Sequence, residues 1–131
     1  MQAHYPRIAF LLASAHTGAA RGLWPELIAA AQSHRCILFV LPGGRLNAIG
    51  GFEYMRNSVY RYAKASNIDS ALCWASTLSG YAAESAVESF LIDTVDVPMV
   101  TFGLKIDGQP FVGIDAYSGM KALVKHFIRS H

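Results

Sequence analysis

The chain lacks long apolar runs. The longest, residues 8–15, falls far short of the roughly 18 residues that a helix needs to cross a bilayer, so no membrane-spanning helix is expected. Charge is scarce as well, at 15% of 131 residues against 53% apolar. That balance excludes a disordered or low-complexity chain and predicts one well-filled domain over residues 1–131. Eleven Lys and Arg against nine Asp and Glu leave +2, too weak a bias to argue for nucleic-acid binding. Cysteine is limited to Cys36 and Cys73, both inside apolar runs (CILFV and ALCWA). Such placement reads as buried reduced thiols of a cytoplasmic protein rather than a disulfide.

Several motifs are missing. A dinucleotide fingerprint needs G-x-G-x-x-G after the first strand, and only Gly18 and Gly22 stand there. No glycine is followed by Lys and then Ser or Thr, and no G-x-S-x-G occurs, which removes the phosphate loop and the nucleophile elbow. The five histidines (His4, His16, His34, His126 and His131) form no H-x-x-x-H pair, and neither cysteine has a nearby partner. No metal site, cofactor or catalytic group is therefore expected. Gly50-Gly51-Phe52-Glu53 departs from the diguanylate cyclase signature in its acidic residue and order, and opens a helix instead of a hairpin.

What is present is a repeating pattern. Apolar stretches of strand length recur at 8–13, 36–41, 71–75, 97–102 and 111–114, three of them near-continuous, as in strands covered on both faces. The first follows Arg7 and precedes Ala13-Ser14-Ala15, which imitates a secretory signal, but its apolar core is at the lower limit for one and reads better as a strand.

Helical spacing fills the gaps. Leu23, Leu27, Ile28 and Ala31 share one face of a first helix, with His34 and Arg35 near its end, where cations suit the dipole. Pro25 requires that helix to start near Leu23 or to bend. A second helix over 51–65 turns Phe52, Met55, Val59 and Tyr62 inward, leaving Arg56, Arg61 and Lys64 as a solvated side. A third over 82–92 buries Ala86, Val87 and Phe90, with Glu84 and Glu88 outward. A fourth over 118–129 turns Met120, Leu123, Val124, Phe127 and Ile128 inward against Lys121, Lys125 and Arg129. Strand and helix alternating in this way predict an α/β fold: a three-layer, doubly wound parallel sheet with right-handed crossovers in the flavodoxin-like order 2-1-3-4-5.

In such a sheet ligands bind at the carboxyl ends of the strands, so the loops after the strands hold the candidate site. Ser14, His16 and Thr17 follow strand one, Ser76 and Thr77 follow strand three, and Asp115 follows strand five. Trp24 opens the first helix and could stack on a ligand ring. Each has a second reading. Ser, Thr and Gly suit a strand-to-helix turn whatever it binds, Asp115 would cap the last helix, His16 could simply be solvated, and Trp24 could pack internally. The hydroxyl-rich loop Ser14-x-His16-Thr17-Gly18 also looks like the flavin-phosphate loop of flavodoxins, which makes a flavodoxin-like flavin-binding protein an alternative.

Two blocks carry a wider resemblance. Val112-Gly113-Ile114-Asp115-Ala116-Tyr117-Ser118-Gly119, followed by Ala122-Leu123-Val124-Lys125-His126-Phe127-Ile128, is similar to the V-x-x-D-N-x-x-G … A-x-x-H-L-I run of the lactose/galactose-repressor family. Ala116 stands where that family has Asn. In the middle, Leu23-Trp24, Pro42-Gly43-Gly44-Arg45-Leu46, Phe52-Glu53-Tyr54-x-Arg56-Asn57-x-Val59-Tyr60 and Ile68-Asp69 resemble a sensory branch of the same type 1 periplasmic-binding-protein fold. Members of that branch are commonly fused to diguanylate cyclases or histidine kinases. The resemblance implies the N-terminal lobe of a two-lobe ligand-binding domain, present here as a fragment. It implies a non-catalytic sensor of a small polar ligand such as a sugar or nucleoside, or else the ligand-binding part of a lactose-repressor-type transcription regulator. It further implies a homodimer, with Leu23, Trp24 and the helix bearing Arg56 and Tyr60 as contact candidates, and no direct nucleic-acid or membrane contact.

Overall fold

The computed structural model describes residues 5–130; His4 and His131 lie outside the described residues. Five strands, β1 (Arg7–Leu12), β2 (Ile37–Pro42), β3 (Ser70–Trp74), β4 (Met99–Phe102) and β5 (Phe111–Val112), form one sheet in the order β2-β1-β3-β4-β5. Every pairing is parallel, from Arg7 opposite Ile37 to Phe102 opposite Val112. The α/β class and strand order expected from the sequence are therefore present.

The sheet's two faces follow from the period-2 alternation of strand side chains. From β1, Ala9 and Leu11 enter a core with Tyr60, Cys73, Leu78, Val87, Leu91 and Ile106. Phe10 and Leu12 point the other way, toward Leu23, Trp24, Leu27, Trp74 and Phe102. On that second face three aromatic rings form a cluster: Phe10 lies 6.5 Å from Trp74 and 6.0 Å from Phe102, and Trp74 and Phe102 stack at 4.8 Å.

The helices depart from expectation in informative ways. α1 (Gly18–Ser33) continues through Pro25, so of the two expected alternatives the start near Leu23 is not taken. Proline removes one intrahelical bond, to the carbonyl of Arg21, and that stretch is exposed, so water can replace it. His34 and Arg35 lie past the helix end, not in its last turn. Arg35 adopts φ 51°, and the closing bonds Arg35 N–H to Gln32 O and Cys36 N–H to Ala31 O make a Schellman stop.

The expected second helix is broken and rotated. Glu53–Arg56 forms a single α turn (α2), followed by a 3₁₀ stretch at Asn57–Tyr62. Phe52, Met55 and Tyr62, expected inward, are exposed, while Tyr60 is fully buried. Tyr60 is thereby removed from the candidate dimer contacts. α3 (Glu84–Thr94) buries Val87 and Leu91 and rests Phe90 edge-on against Tyr60, but leaves Ala86 exposed.

The largest difference lies in α4 (Ala116–Ser130). All fifteen of its residues are exposed, including Met120, Leu123, Val124, Phe127 and Ile128, which the spacing turned inward. Helical period reports that one face is apolar; it does not report that this chain supplies the surface to cover it. β5 is correspondingly short, and the Phe10–Trp74–Phe102 face carries α1 as its packed helix.

Candidate functional site

The carboxyl ends of β1, β2 and β3 open on one side of the sheet, and the loops that leave them are held by hydrogen bonds as well as by the buried side chains of Ala13, Leu46, Ala75 and Leu78. Ala13 N–H, the first after β1, donates to Thr77 Oγ1 at 3.0 Å, and the Thr77 hydroxyl donates to Trp74 O at 2.7 Å. One threonine thus ties the turn after β1 to the turn after β3. Within the first turn, His16 N–H donates to Ser14 Oγ at 3.3 Å.

The loop after β2, Pro42-Gly43-Gly44-Arg45, is fixed by side chains spaced i, i+4 and i+7 along the segment that follows it. Glu53 Oε1 accepts from Arg45 N–H at 2.7 Å, Asn57 Oδ1 accepts from Gly44 N–H at 2.7 Å, and the Tyr60 hydroxyl donates to Leu12 O at 2.8 Å. The glycines are required by close approach: a β-carbon on Gly43 would enter the Tyr60 ring, and one on Gly44 would strike Glu53. Burial pushes the Tyr60 phenol well above its ordinary value, so it stays protonated and keeps donating.

That clamp positions charge. Arg45 meets Glu53 through Nε at 3.2 Å and Nη2 at 3.1 Å, and its guanidinium lies 4.7 Å from the centre of the Tyr81 ring. Arg56 approaches the same carboxylate at 3.8 Å, an ion-pair distance beyond hydrogen-bond range. The hydrogen bond from the Arg45 side chain, then that from its backbone N–H, hold the Glu53 carboxyl below the usual range, so Glu53 is ionised at neutral pH.

Ala13, Ser14, Thr17, Thr77, Arg45, Glu53 and Arg56 surround a cavity of about 420 Å³. It gathers three of the seven residues singled out from the sequence: Ser14, Thr17 and Thr77. Thr17 is the N-cap position of α1, but its side chain makes no capping bond and remains available.

The other four are placed elsewhere. Ser76 lines a second, larger trough of about 680 Å³, with Leu23, Trp74, Phe102, Gly103, Phe111 and Ile114. Trp24 packs edge-on against Phe10 at 5.7 Å and donates its Nε1–H to Ala15 O, which makes it part of the second-face core. His16 is exposed. Asp115 accepts from Ser118 N–H at 2.9 Å, the capping geometry for α4, and that bond holds its carboxyl below the ordinary value.

Arg45, Glu53 and Arg56 were not among the seven ligand-contact residues picked from the sequence, which read Arg56 as a solvated side and a dimer contact; the signal for the clamp was a Glu, Asn and Tyr at 53, 57 and 60 following a glycine pair. Among the described residues no group of three or more His, Cys, Asp or Glu could hold a metal ion. Cys36 and Cys73 are free thiols, and burial pushes Cys73 up to about 12, which suits packing rather than nucleophilic chemistry. Comparison with protein-family models, with curated proteins and with solved structures finds no match to this chain.

Proposed function

We propose that this chain is a non-catalytic, small-molecule-sensing module: one lobe of a periplasmic-binding-protein-like domain in a bacterial signalling or regulatory protein of the cytoplasm. A small polar ligand binds at the carboxyl ends of β1, β2 and β3. The observation that carries this reading is the cavity there, lined by Ser14, Thr17, Arg45 and Arg56 over loops fixed by Thr77, Asn57 and Tyr60. A rigid floor with adaptable hydroxyl and guanidinium groups is what orientation-specific binding of a polar molecule requires. Closure of a second wall over the ligand then shifts a two-state equilibrium that an attached output domain reads. A homodimer belongs to this reading, and the exposed apolar side chains of β2 (Ile37, Phe39 and Val40) offer a surface for it.

Thermal unfolding against ribose, glucose, galactose and adenosine tests it. A binding partner raises Tm by mass action, and one of these compounds is expected to do so. Thr17→Ala together with Ser76→Ala should abolish the shift while leaving the unliganded Tm in place. The single variants then locate the ligand: loss with Thr17→Ala alone assigns it to the polar cavity, and loss with Ser76→Ala alone to the apolar trough. No shift with any of the four compounds, or a shift unchanged in the double variant, overturns the assignment.

A further inference from the structure

We infer that the polar cavity between the β1 and β2 loops is selective for an anionic ligand: a small hydroxylated molecule bearing a carboxylate or phosphate group. This rests on the ligand-sensing reading above and narrows its ligand class. The first support is a charge count. Two guanidinium groups and one carboxylate line the cavity, leaving one uncompensated positive charge on its wall.

The second is how the donors are distributed. The hydrogen bonds to the Glu53 carboxylate come from Arg45, through three contacts: the backbone N–H at 2.7 Å, Nε at 3.2 Å and Nη2 at 3.1 Å. Arg45 is held further by the Tyr81 ring. Arg45 and Glu53 therefore form a hydrogen-bonded pair whose charges cancel.

Arg56 is the remainder. It stands at 3.8 Å from Glu53 with no hydrogen bond to it, and its side chain is 59% exposed. A guanidinium carries five N–H donors in a planar fork that matches the two oxygens of a carboxylate or phosphate. On the same cavity, Ser14 uses its oxygen to accept from His16 N–H, which leaves its own O–H to donate. The Thr17 hydroxyl has no capping bond to make. The Arg56 guanidinium and the Ser14 O–H are thus donors to which no acceptor in the cavity is bonded, and a ligand bearing acceptor oxygens satisfies them. Neutral sugars fit the hydroxyls but bring no negative charge to offset the second guanidinium, which shares the single Glu53 carboxylate with Arg45. The volume of about 420 Å³ admits a monosaccharide-sized molecule.

The test is a titration followed by amide chemical shifts, with galacturonate, glucose 6-phosphate and neutral glucose as probes. One of the two charged probes is expected to perturb Ser14, Thr17, Arg56 and Thr77 together, about tenfold more tightly than glucose, and to weaken as salt is raised. Which of them binds identifies the anion as carboxylate or phosphate. Arg56→Gln should reduce the charged probe to the affinity of glucose. Arg61→Gln, an exposed charge off the cavity, should change nothing. Glucose binding as tightly as both charged probes, or a charged probe indifferent to Arg56→Gln, overturns the anion selectivity while leaving ligand sensing intact. Failure of all three probes to perturb these four residues overturns the anionic class, and ligand sensing is then judged on the thermal shifts with ribose, galactose and adenosine.

Discussion

Arg35 holds a left-handed backbone, φ 51°, at the position where helices most often end in glycine. A β-carbon in that region costs about 1 kcal/mol, and here the Schellman bonds of Arg35 and Cys36 impose the conformation. The Arg35 side chain has no hydrogen bond or ion pair among the described residues and is exposed, so its removal forfeits little. Two effects oppose one another in Arg35→Gly. Relief of strain stabilises the native state, while greater freedom of the unfolded chain works against it. Because the native φ is positive, the first should win, and Arg35→Gly is expected to raise stability by about 0.5 kcal/mol in urea unfolding. Destabilisation of that size would mean that the stop is not strained.

At the scale of elements, the segment from Glu53 to Tyr62 shows how far sequence reasoning reaches. The strands were legible because a near-continuous apolar run such as 8–13 is too short for a buried helix and fits a strand covered on both faces, and the flavodoxin-like order follows from their alternation with helices. The position of Ser14, Thr17 and Thr77 on one cavity was legible for the same reason, since a parallel sheet places the residues after its strands on one rim. The orientation of 53–62 was not. Apolar spacing selected Phe52, Met55 and Tyr62, but the side that faces the protein carries Glu53, Asn57 and Tyr60, whose polar atoms take up the N–H groups of Gly44 and Arg45 and the carbonyl of Leu12. Hydrogen-bond demand from a glycine loop outweighed three apolar residues, and a hydrophobic count registers nothing of that demand.

The same segment supports a quantitative contrast. Asn57→Ala leaves the buried Gly44 N–H without its acceptor, a loss of about 2 kcal/mol. Tyr60→Phe removes a bond that is also buried, yet Leu12 O keeps the Gly43 N–H at 3.1 Å, so no group is orphaned and about 1 kcal/mol is expected. Urea midpoints of the two variants at constant m should therefore fall in that order. The reverse order would place the loop's anchorage in the tyrosine rather than in the asparagine.

Over the whole molecule, stability is distributed unevenly. β1 sits between β2 and β3 with Ala9, Phe10, Leu11 and Leu12 fully buried, so its amides open only when the domain unfolds. α4 is a fifteen-residue helix with every residue exposed. Helices of that length are marginal in water unless tertiary packing supports them. The Asp115 cap supports its first turn, and Lys121 near the Tyr117 ring adds little. Native-state hydrogen exchange should then separate the two, with the amides of Phe10 and Leu11 protected by roughly a thousandfold or more over those of Leu123 and Val124. If α4 instead exchanges as slowly as β1, something covers its apolar stripe in solution. Dependence of that protection on protein concentration would identify the cover as a second copy of the chain, because only an intermolecular contact responds to dilution.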